Sequence, residues 1–433
     1  MTTAQFNHGV RVFSAGSEPR PIEIADVSTL GIAFVDATAD NAAFPMDEPV
    51  LLYTHEADKV AKLGTGPGNE ALQLVNAVRA QGIEAAIVVA RVEHSTEEAP
   101  ADAAEEELER LIGSAASMSG IHALSYARGH VGVEPDIIVA GGRAAGRVDN
   151  AKNPYAAAVE SVCAKLKAIG VFDTGGPDSE ASLEYRADFS SRYSYLVDPY
   201  VRVASGSSIV TRPASPWAAS MFVKKDKLKG GPYWSPSNQD VLGILGTARP
   251  VTYFDGEVDH EANLLNEAGI ATFIPSRVVQ GAGGQFSPNG RILWGNRTAS
   301  EDALWKFVNV VRTRAVIEKA IVSSFRPWAL DENMSAQHVL AIMRSLQSFL
   351  DDLTAVGAIL GGRVYWDRDM NSNASLRMGK LRIEFDAEET PPLEDLIFGS
   401  RRNERYFDTL ADDIQRRISV EFGGSIADYM AAA

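Results

Sequence analysis

Between residues 120 and 260 the chain changes its apolar period in a regular order, and that order limits the fold more than any other feature. Pro135-Asp136-Ile137-Ile138-Val139-Ala140-Gly141-Gly142 holds an unbroken apolar run closed by glycines, the pattern of a strand buried on both faces. Residues 154–170 then place Ala156, Val159, Cys163 and Leu166 on one stripe, which predicts a helix opened by Pro154 and closed by Gly170. Residues 194–203 return to a strand pattern. Strand, glycine turn, helix and strand in succession predict an α/β layer around a largely parallel sheet. Cys163 falls on the apolar stripe and reads as a packed core thiol.

The flanking regions read differently. Residues 23–91 alternate strand-like pieces at 22–35, 50–54 and 85–92 with one helix-like stretch at 70–81, which predicts a small mixed α+β domain. Residues 93–109 hold Glu97, Glu98, Asp102, Glu105, Glu106, Glu107 and Glu109 and read as an acidic linker running into a helix, with a solvated face. In the last third, residues 301–324 put Leu304, Phe307, Val308, Val311, Ala315 and Val322 on one face. Residues 335–356 do the same with Val339, Ile342, Met343, Leu346, Leu350 and Leu353. Two long amphipathic helices are expected, with Ser300 and Ser335 as N-caps. The second ends at Gly357 and leads to a strand over 362–366. Leu381-Arg382-Ile383-Glu384-Phe385-Asp386 then alternates strictly, with its charges on one face. An antiparallel sheet backed by two helices follows from this pattern.

The two ends carry little that could fold alone. Val10-Arg11-Val12-Phe13 is one short alternating piece, preceded by polar residues and followed by Ser, Gly and Pro. At the other end Arg401-Arg402-Asn403-Glu404-Arg405 leads through a helix-like stretch to Ile418-Ser419-Val420-Glu421-Phe422. There Ile418, Val420 and Phe422 share one face at strand period. A lone amphipathic strand at a terminus needs a sheet to join, its own domain's or a neighbour's.

Composition and motifs narrow the function. Across 433 residues, 41 Lys and Arg stand against 57 Asp and Glu, a net charge of −16, which argues against gripping nucleic-acid phosphates. One cysteine forms no intrachain disulfide, and with seven scattered histidines it leaves no Cys/His metal cluster. No apolar run approaches the roughly 18 residues of a membrane span, and residues 1–9 lack the basic and apolar regions of a secretory signal, so a soluble protein is expected. The sequence has no G-x-S-x-G elbow, no G-x-x-x-x-G-K-[ST] loop and no H-E-x-x-H pair. Gly64-Thr65-Gly66-Pro67-Gly68 reads as a turn, since Pro67 lacks the N–H a phosphate would need. His8, His55, His94, His122, His130, His260 and His338 read as exposed or capping. Asp367, Asp369 and Asn371 alternate like the start of a calcium loop without its glycine and terminal Glu, and read as a turn. No catalytic, cofactor-binding or metal residue is assigned, and no cofactor is expected.

One set of segments runs in order along nearly the whole chain. It begins with His8-Gly9-Val10-Arg11-Val12, Arg20-Pro21-Ile22, and Phe44-Pro45 with Glu48-Pro49-Val50-Leu51-Leu52. It continues with Tyr195-Leu196-Val197-Asp198-Pro199-Tyr200, Trp234-Ser235-Pro236-Ser237-Asn238 and Gly246-Thr247-Ala248-Arg249-Pro250. The most specific part is Leu264-Leu265-Asn266-Glu267-Ala268-Gly269-Ile270, Leu293-Trp294-Gly295-Asn296-Arg297-Thr298, Arg312-Thr313 and Gly357-Ala358-Ile359-Leu360-Gly361-Gly362. Together these resemble the tail sheath proteins of contractile-tailed bacteriophages.

That resemblance implies a structural subunit rather than an enzyme. Sheath subunits stack as six-fold rings in a helix around a tail tube, and contract to drive the tube through the host envelope during genome ejection. The implied partners are other copies of the chain, the tail tube protein, and baseplate and tail terminator proteins, with neither nucleic acid nor membrane. The implied location is the virion tail sheath, assembled in the bacterial host cytoplasm. The implied fold class is α/β and α+β, multidomain. Residues 1–22 would be an N-terminal arm, 23–91 the small mixed domain, 92–262 an outer α/β insertion, 263–408 an inner, tube-proximal α+β domain, and 409–433 a C-terminal arm. The family's outer domain is subtilisin-like in fold, and here it would be non-catalytic because the protease serine motif is absent. After Phe398 this arm is longer and more charged than the family's pattern.

Val10, Arg11, Val12, Phe13, Ile418, Val420 and Phe422 would supply arm strands, and Leu381, Ile383 and Phe385 the acceptor sheet of a neighbour. Gly16 and Pro19 beside the first arm would let subunits rotate while the links hold. A heterologous contact repeated by a rotation and a rise builds a helical tube, and the free-energy difference between two lattices would supply the work. Arg368, Arg377 and Lys380 are tube-contact candidates, because a lattice that holds and then releases its tube favours charged contacts. The sheath of a headless contractile particle such as a bacteriocin fits the same residues. A hydrolase on the α/β domain and a monomeric binding module are the readings from other classes.

Overall fold

The computed structural model describes residues 22, 28–66, 68–278 and 285–423, and of 277, 278, 285–289 and 422 it describes only the backbone. The expected arm strand Val10, Arg11, Val12 and Phe13 lies outside the described residues. The chain divides into two compact units, Met1–Pro392 and Leu393–Ala433.

The first unit is organised by one large sheet. Its strands are β1 (Leu30–Val35), β2 (Pro49–Tyr53), β3 (Ala86–Val92), β4 (Ile137–Gly141), β5 (Ile169–Asp173) and β6 (Ser194–Val197). After them come β7 (Val201–Ser205), β8 (Ser208–Arg212), β9 (Gln239–Val241), β10 (Gly246–Thr247), β11 (Ile270–Val278) and β12 (Gln285–Trp294). The nine-stranded order is β2-β3-β1-β4-β5-β6-β11-β12-β9, with β10-β7-β8 as a separate three-stranded sheet. From β3 to β11 the neighbours are parallel, while β2, β12 and β9 run antiparallel to their partners. Ile137, Ile138 and Val139 are without solvent exposure, as a strand covered on both faces requires. Helices Glu70–Ala80 and Ser215–Lys229 pack together on one face; Pro100–Ile112 and Pro154–Leu166 pack together on the other. Cys163 is fully buried in this core, as its place on the stripe predicts.

Three expectations are corrected here. Residues 23–91 are not a separate small domain, because β1, β2 and β3 belong to the same sheet as β4 to β6 and share one core with them. The border expected at 262/263 also moves, since β11 and β12 extend the same sheet to Trp294. The strand expected over 194–203 is two strands separated at Pro199, which has no N–H to give a ladder.

After β12 comes a second, smaller core. A 22-residue helix, Val308–Ala329, is followed by helix Ala336–Ala355 and by the antiparallel pair β13 (Ile359–Tyr365) and β14 (Glu384–Glu389). Ser335 caps its helix as predicted, accepting from His338 N at 3.1 Å. Ser300 does not cap the other one. A short turn at Ala303–Trp305 intervenes, the helix starts at Val308, and Leu304 and Val322 are exposed. The buried residues of that helix divide between the cores: Val308 and Val311 belong to the large one, Ile317 and Ala320 to the small one.

Among its described residues the second unit contains one regular element, helix Tyr406–Phe422. Ile418, Val420 and Phe422, expected in a strand, are therefore in a helix. The period-two pattern covers only five residues, whereas Tyr406, Leu410, Ile414 and Ile418 repeat every four over the whole segment, and the longer period wins. Gly423 ends the helix at φ 69°, its N–H donating to Ser419 O, the left-handed closure a glycine permits.

Candidate subunit-assembly surface

The long helix fixes the small core to the large sheet. Arg312 enters a buried bidentate pair with Asp226, Nη1 to Oδ1 at 3.0 Å and Nη2 to Oδ2 at 2.6 Å, both side chains under 5% exposed. Lys319 donates to Asp136 Oδ1 at 2.6 Å, just before β4. On its other side Arg314 Nε holds Glu389 at 2.6 Å and Arg314 Nη2 donates to Ala387 O at 2.7 Å, both in β14.

Leu346, Phe349, Leu350 and Leu353 from the second helix meet Ile359, Val364, Phe385 and Ala387 from the inner face of β13–β14. Gly362 permits that approach: a Cβ there would lie 3.1 Å from Leu350 Cδ1 and 3.0 Å from Asp386 O. The opposite face presents Arg363, Tyr365, Asp386 and Glu388 to solvent. Among the described residues this sheet has two strands, and a two-stranded sheet is marginal without further strands or cover.

Of the acceptor residues predicted from sequence, Phe385 is in β14, while Leu381 and Ile383 precede it. The cause is Asn371, buried at 1% exposure. Its Nδ2 donates to Arg382 O at 2.9 Å and its Oδ1 accepts from Arg382 N at 2.8 Å, so the backbone that would begin the strand is already paired. Asp367 and Asp369 form a turn beside it, Asp369 N donating to Asp367 Oδ1 at 2.8 Å. Arg368, Arg377 and Lys380 share the excursion between β13 and β14. Arg368 donates to Asn371 O and Asn373 Oδ1 within it, while Arg377 ends the short helix Asn373–Arg377 and is exposed, as is Lys380.

In the second unit Leu393, Leu396, Ile397 and Phe398 are all more than 60% exposed, and Leu410, Ile414 and Ile418 are each about half exposed. Sequence reasoning singled out Ile418 for a strand face and missed the helical stripe, which was legible at spacing four.

The carboxyl ends of the parallel strands, where open α/β sheets bind ligands, are occupied by the protein's own acids. Asp36 accepts from Thr38 N at 2.7 Å, Gly66 N at 2.9 Å and Asn69 Nδ2 at 2.8 Å. Burial pushes its pKa up, but these bonds outweigh that and hold it below its ordinary value. The Gly64–Gly66 turn therefore wraps an internal carboxylate. Glu70 accepts from Gly142 N at 2.7 Å, and burial pushes its pKa up to about 7. Asp173 accepts from Ala214 N at 2.5 Å and Ser215 N at 3.0 Å at the start of helix Ser215–Lys229, and burial pushes it up to about 7. Ser215 donates its hydroxyl to the same Asp173. Chemically the crevice is a network of internal capping bonds. Of the histidines, His260 caps a helix, accepting from Asn263 N at 3.1 Å, and His94 pairs with buried Glu107 at 2.6 Å.

The described residues thus form an α/β body joined by one shared helix to a small two-stranded sheet. Solved sheaths have this fold: the helical sheath of the anti-feeding prophage in its contracted state superposes with a TM-score of 0.64 at 18% identity, over 92% of this chain and 100% of that one. The sheath complex of the extracellular contractile injection system PVC, also contracted, gives 0.63 at 15% identity over 94% and 100%.

Family models for the phage tail sheath protein central domain and the phage tail sheath C-terminal domain match residues 116–281 and 300–403. A prophage major tail sheath protein of Pseudomonas aeruginosa (strain UCBPP-PA14) is 33% identical over 91% of this chain and 95% of its own length. The tail sheath protein of Escherichia phage P2 is 27% identical over 95% and 99%. The chain belongs to the phage tail sheath family and is a contractile sheath subunit, as the sequence resemblance implies. Among the described residues no helix is long and apolar enough to cross a membrane.

Proposed function

We propose that this chain polymerises as stacked six-fold rings around a tail tube, and that the lattice then contracts to drive the tube through the host envelope during genome ejection. The observation that carries the reading is the 33% identity to a tail sheath protein along almost the full length of both chains. Residues 1–22 and 409–433 act as arms that link neighbours. The sheet body faces away from the tube, and the β13–β14 module faces it. The parallel order β3-β1-β4-β5-β6 supports the α/β, subtilisin-like fold that the resemblance implies, and the capping role of Asp173 at Ser215 supports a purely structural use of it. Arg368, Arg377 and Lys380 remain our tube-contact candidates, with Arg377 and Lys380 the better exposed. The tube, baseplate and tail terminator proteins are the expected partners, met in the bacterial host cytoplasm during assembly. The fold likeness to injection-system sheaths supports the sheath of a headless particle as a second reading.

Negative-stain electron microscopy of the full chain, alone and with its tube, tests this. Regular hollow cylinders are expected, and chains lacking 1–18 or 415–433 should stay folded and dispersed. Dispersed particles of the full chain across salt and concentration would reject the sheath reading. Cylinders from either truncation would reject the role of that arm.

A further inference from the structure

Helix Tyr406–Phe422 has one apolar face, and that face is open to solvent. At about 100° per residue, Leu410, Ile414 and Ile418 drift by only about 40° at each step, and Phe407 falls within the same stripe. These four side chains are between 47% and 62% exposed. A helix of 17 residues is marginal alone in water, and an amphipathic one is held by what its apolar face packs on.

The charges beside the stripe say what fits it. Asp413 and Arg417 lie on one shoulder, and Asp408 and Gln415 on the other. Within the helix Asp413 pairs with Arg416 and, at 3.2 Å, with Arg417, but these are exposed pairs of small worth. Consider a second copy of the helix laid antiparallel, with the two-fold axis at Ile414. Leu410 then meets the second copy's Ile418, and Ile414 meets its own equivalent. Such a rotation keeps each shoulder on its own side, so Asp413 comes level with the second copy's Arg417 to within about 3 Å along the axis, and Arg417 with the second copy's Asp413. On the other shoulder Asp408 meets Ser419 and Gln415 meets Gln415, with no like charges opposed. A parallel pair would turn the two shoulders toward each other, and Arg417 would find only the neutral Gln415.

We infer that this helix is a self-recognition surface, on which two copies of the chain pair antiparallel through Leu410, Ile414 and Ile418, with Asp413 and Arg417 crossing twice to fix the direction. The inference does not depend on the sheath reading. Exposed Glu421 comes level with the second copy's Phe407 and ends the apolar contact at each side, so the pair is short. A contact below the usual size of a stable interface associates weakly, at about 10–100 µM. Its two-fold symmetry closes it: a pair has no free face left for a third copy, whereas the contact that builds a helical tube must repeat without closing.

The test uses the full chain, by sedimentation at dilutions where light scattering shows no large polymers, with circular dichroism to confirm the fold. Ile414→Asp opposes two carboxylates at the axis and should weaken pairing at least tenfold. Asp413→Arg and Arg417→Asp should each weaken it about three- to tenfold, and the two together should restore it to within about twofold of wild type. Direction is read by oxidation. Leu410→Cys mixed with Ile418→Cys should form a disulfide across the pair, while neither alone should, because like positions stand about 12 Å apart along the axis. The native Cys163 is fully buried and stays out of the reaction. Monomers up to about 200 µM, well above the expected range, overturn the inference, as does pairing that Ile414→Asp leaves unchanged. Cross-linking of each cysteine variant with itself would mean a parallel pair and overturn it. Large polymers at every dilution without the mixed disulfide overturn it as well.

Discussion

The nine-stranded sheet carries helices on both faces, and Ile32, Val88, Val139 and Val171 within it have no exposed surface. Among the described residues the β13–β14 sheet carries helices on one face and leaves Arg363, Asp386 and Glu388 in solvent on the other. The edges differ as well. Beyond β2, Lys59 donates to Leu51 O from a helix of the same body, and beside β9 the Gln81 amide takes both backbone groups of Leu242, at 2.8 and 3.0 Å. In the body such contacts close a sheet already wide enough to hold a core. In the module the same kind of contact, from Arg314 to Ala387 O, sits on a sheet too narrow to stand alone. Width decides whether an edge contact finishes a structure or must be backed by further packing.

The comparison breaks most visibly where the two parts are joined. Arg312→Ala leaves Asp226 buried without its cation and should lower stability by about 3–5 kcal/mol, measured by denaturant unfolding. A loss below about 1 kcal/mol would mean that helix packing alone couples body and module. Leu350→Ala, in the small core, should cost about 2–5 kcal/mol, and hydrogen exchange should open residues 336–389 while β4 and β5 stay protected. Uniform opening would show one cooperative unit and erase the distinction.

The body can be tuned by itself through pH. Asp173 is pushed up from an ordinary 3.8 to about 7, so the folded chain holds a proton that the unfolded chain gives up. The protein is therefore most favoured below about pH 4 as far as this group is concerned, and that advantage is lost as pH rises through 7. Asp173→Asn should remove about 2–4 kcal/mol of this dependence, seen by comparing denaturation at pH 4.5 and pH 8 with wild type. Equal slopes in the two proteins would show that Asp173 stays ionised in the fold. The smallest effect is expected at the module's helix start: Ser335→Ala removes the bond to His338 N and should cost about 1 kcal/mol. A change within error in thermal unfolding would mean that the first turn frays in the wild type too.

Much of the body was legible in the sequence because buried parallel strands are written as continuous apolar runs. Ile137 to Ala140 and the helix after Asn69 stand where their patterns place them, while the helix after Asn153 starts as expected but ends at Leu166, because Gly170 belongs to β5. Ser335 was readable for the same reason: a cap acts on its own next turn. What escaped was set by partners distant in sequence. The strand at Leu381 begins late because Asn371 holds Arg382, and nothing in the alternation of Leu381, Ile383 and Phe385 signals that. β1 to β3 were read as a separate small domain because periodicity gives an element's type and not its neighbours. Arg314 is a charged residue on a helix face, indistinguishable in sequence from a solvated one, and the body's internal acids, Asp173 above all, have no motif. Glu107 was read as part of a solvated acidic face and is buried against Arg143 and His94.

The helix Val308–Ala329 is about 33 Å long at ~1.5 Å per residue, and its buried positions run from Val308 through Val311 and Ile317 to Ala320 without leaving packed surroundings. Pro327, the proline within it, lies past the last of them. When elements are loaded in series, deformation gathers in the most compliant one. Here the body and module form a stiff strut, so a load applied at one side of the subunit emerges at the other with little absorbed between. A lattice made from this chain would then find its give outside the two joined cores.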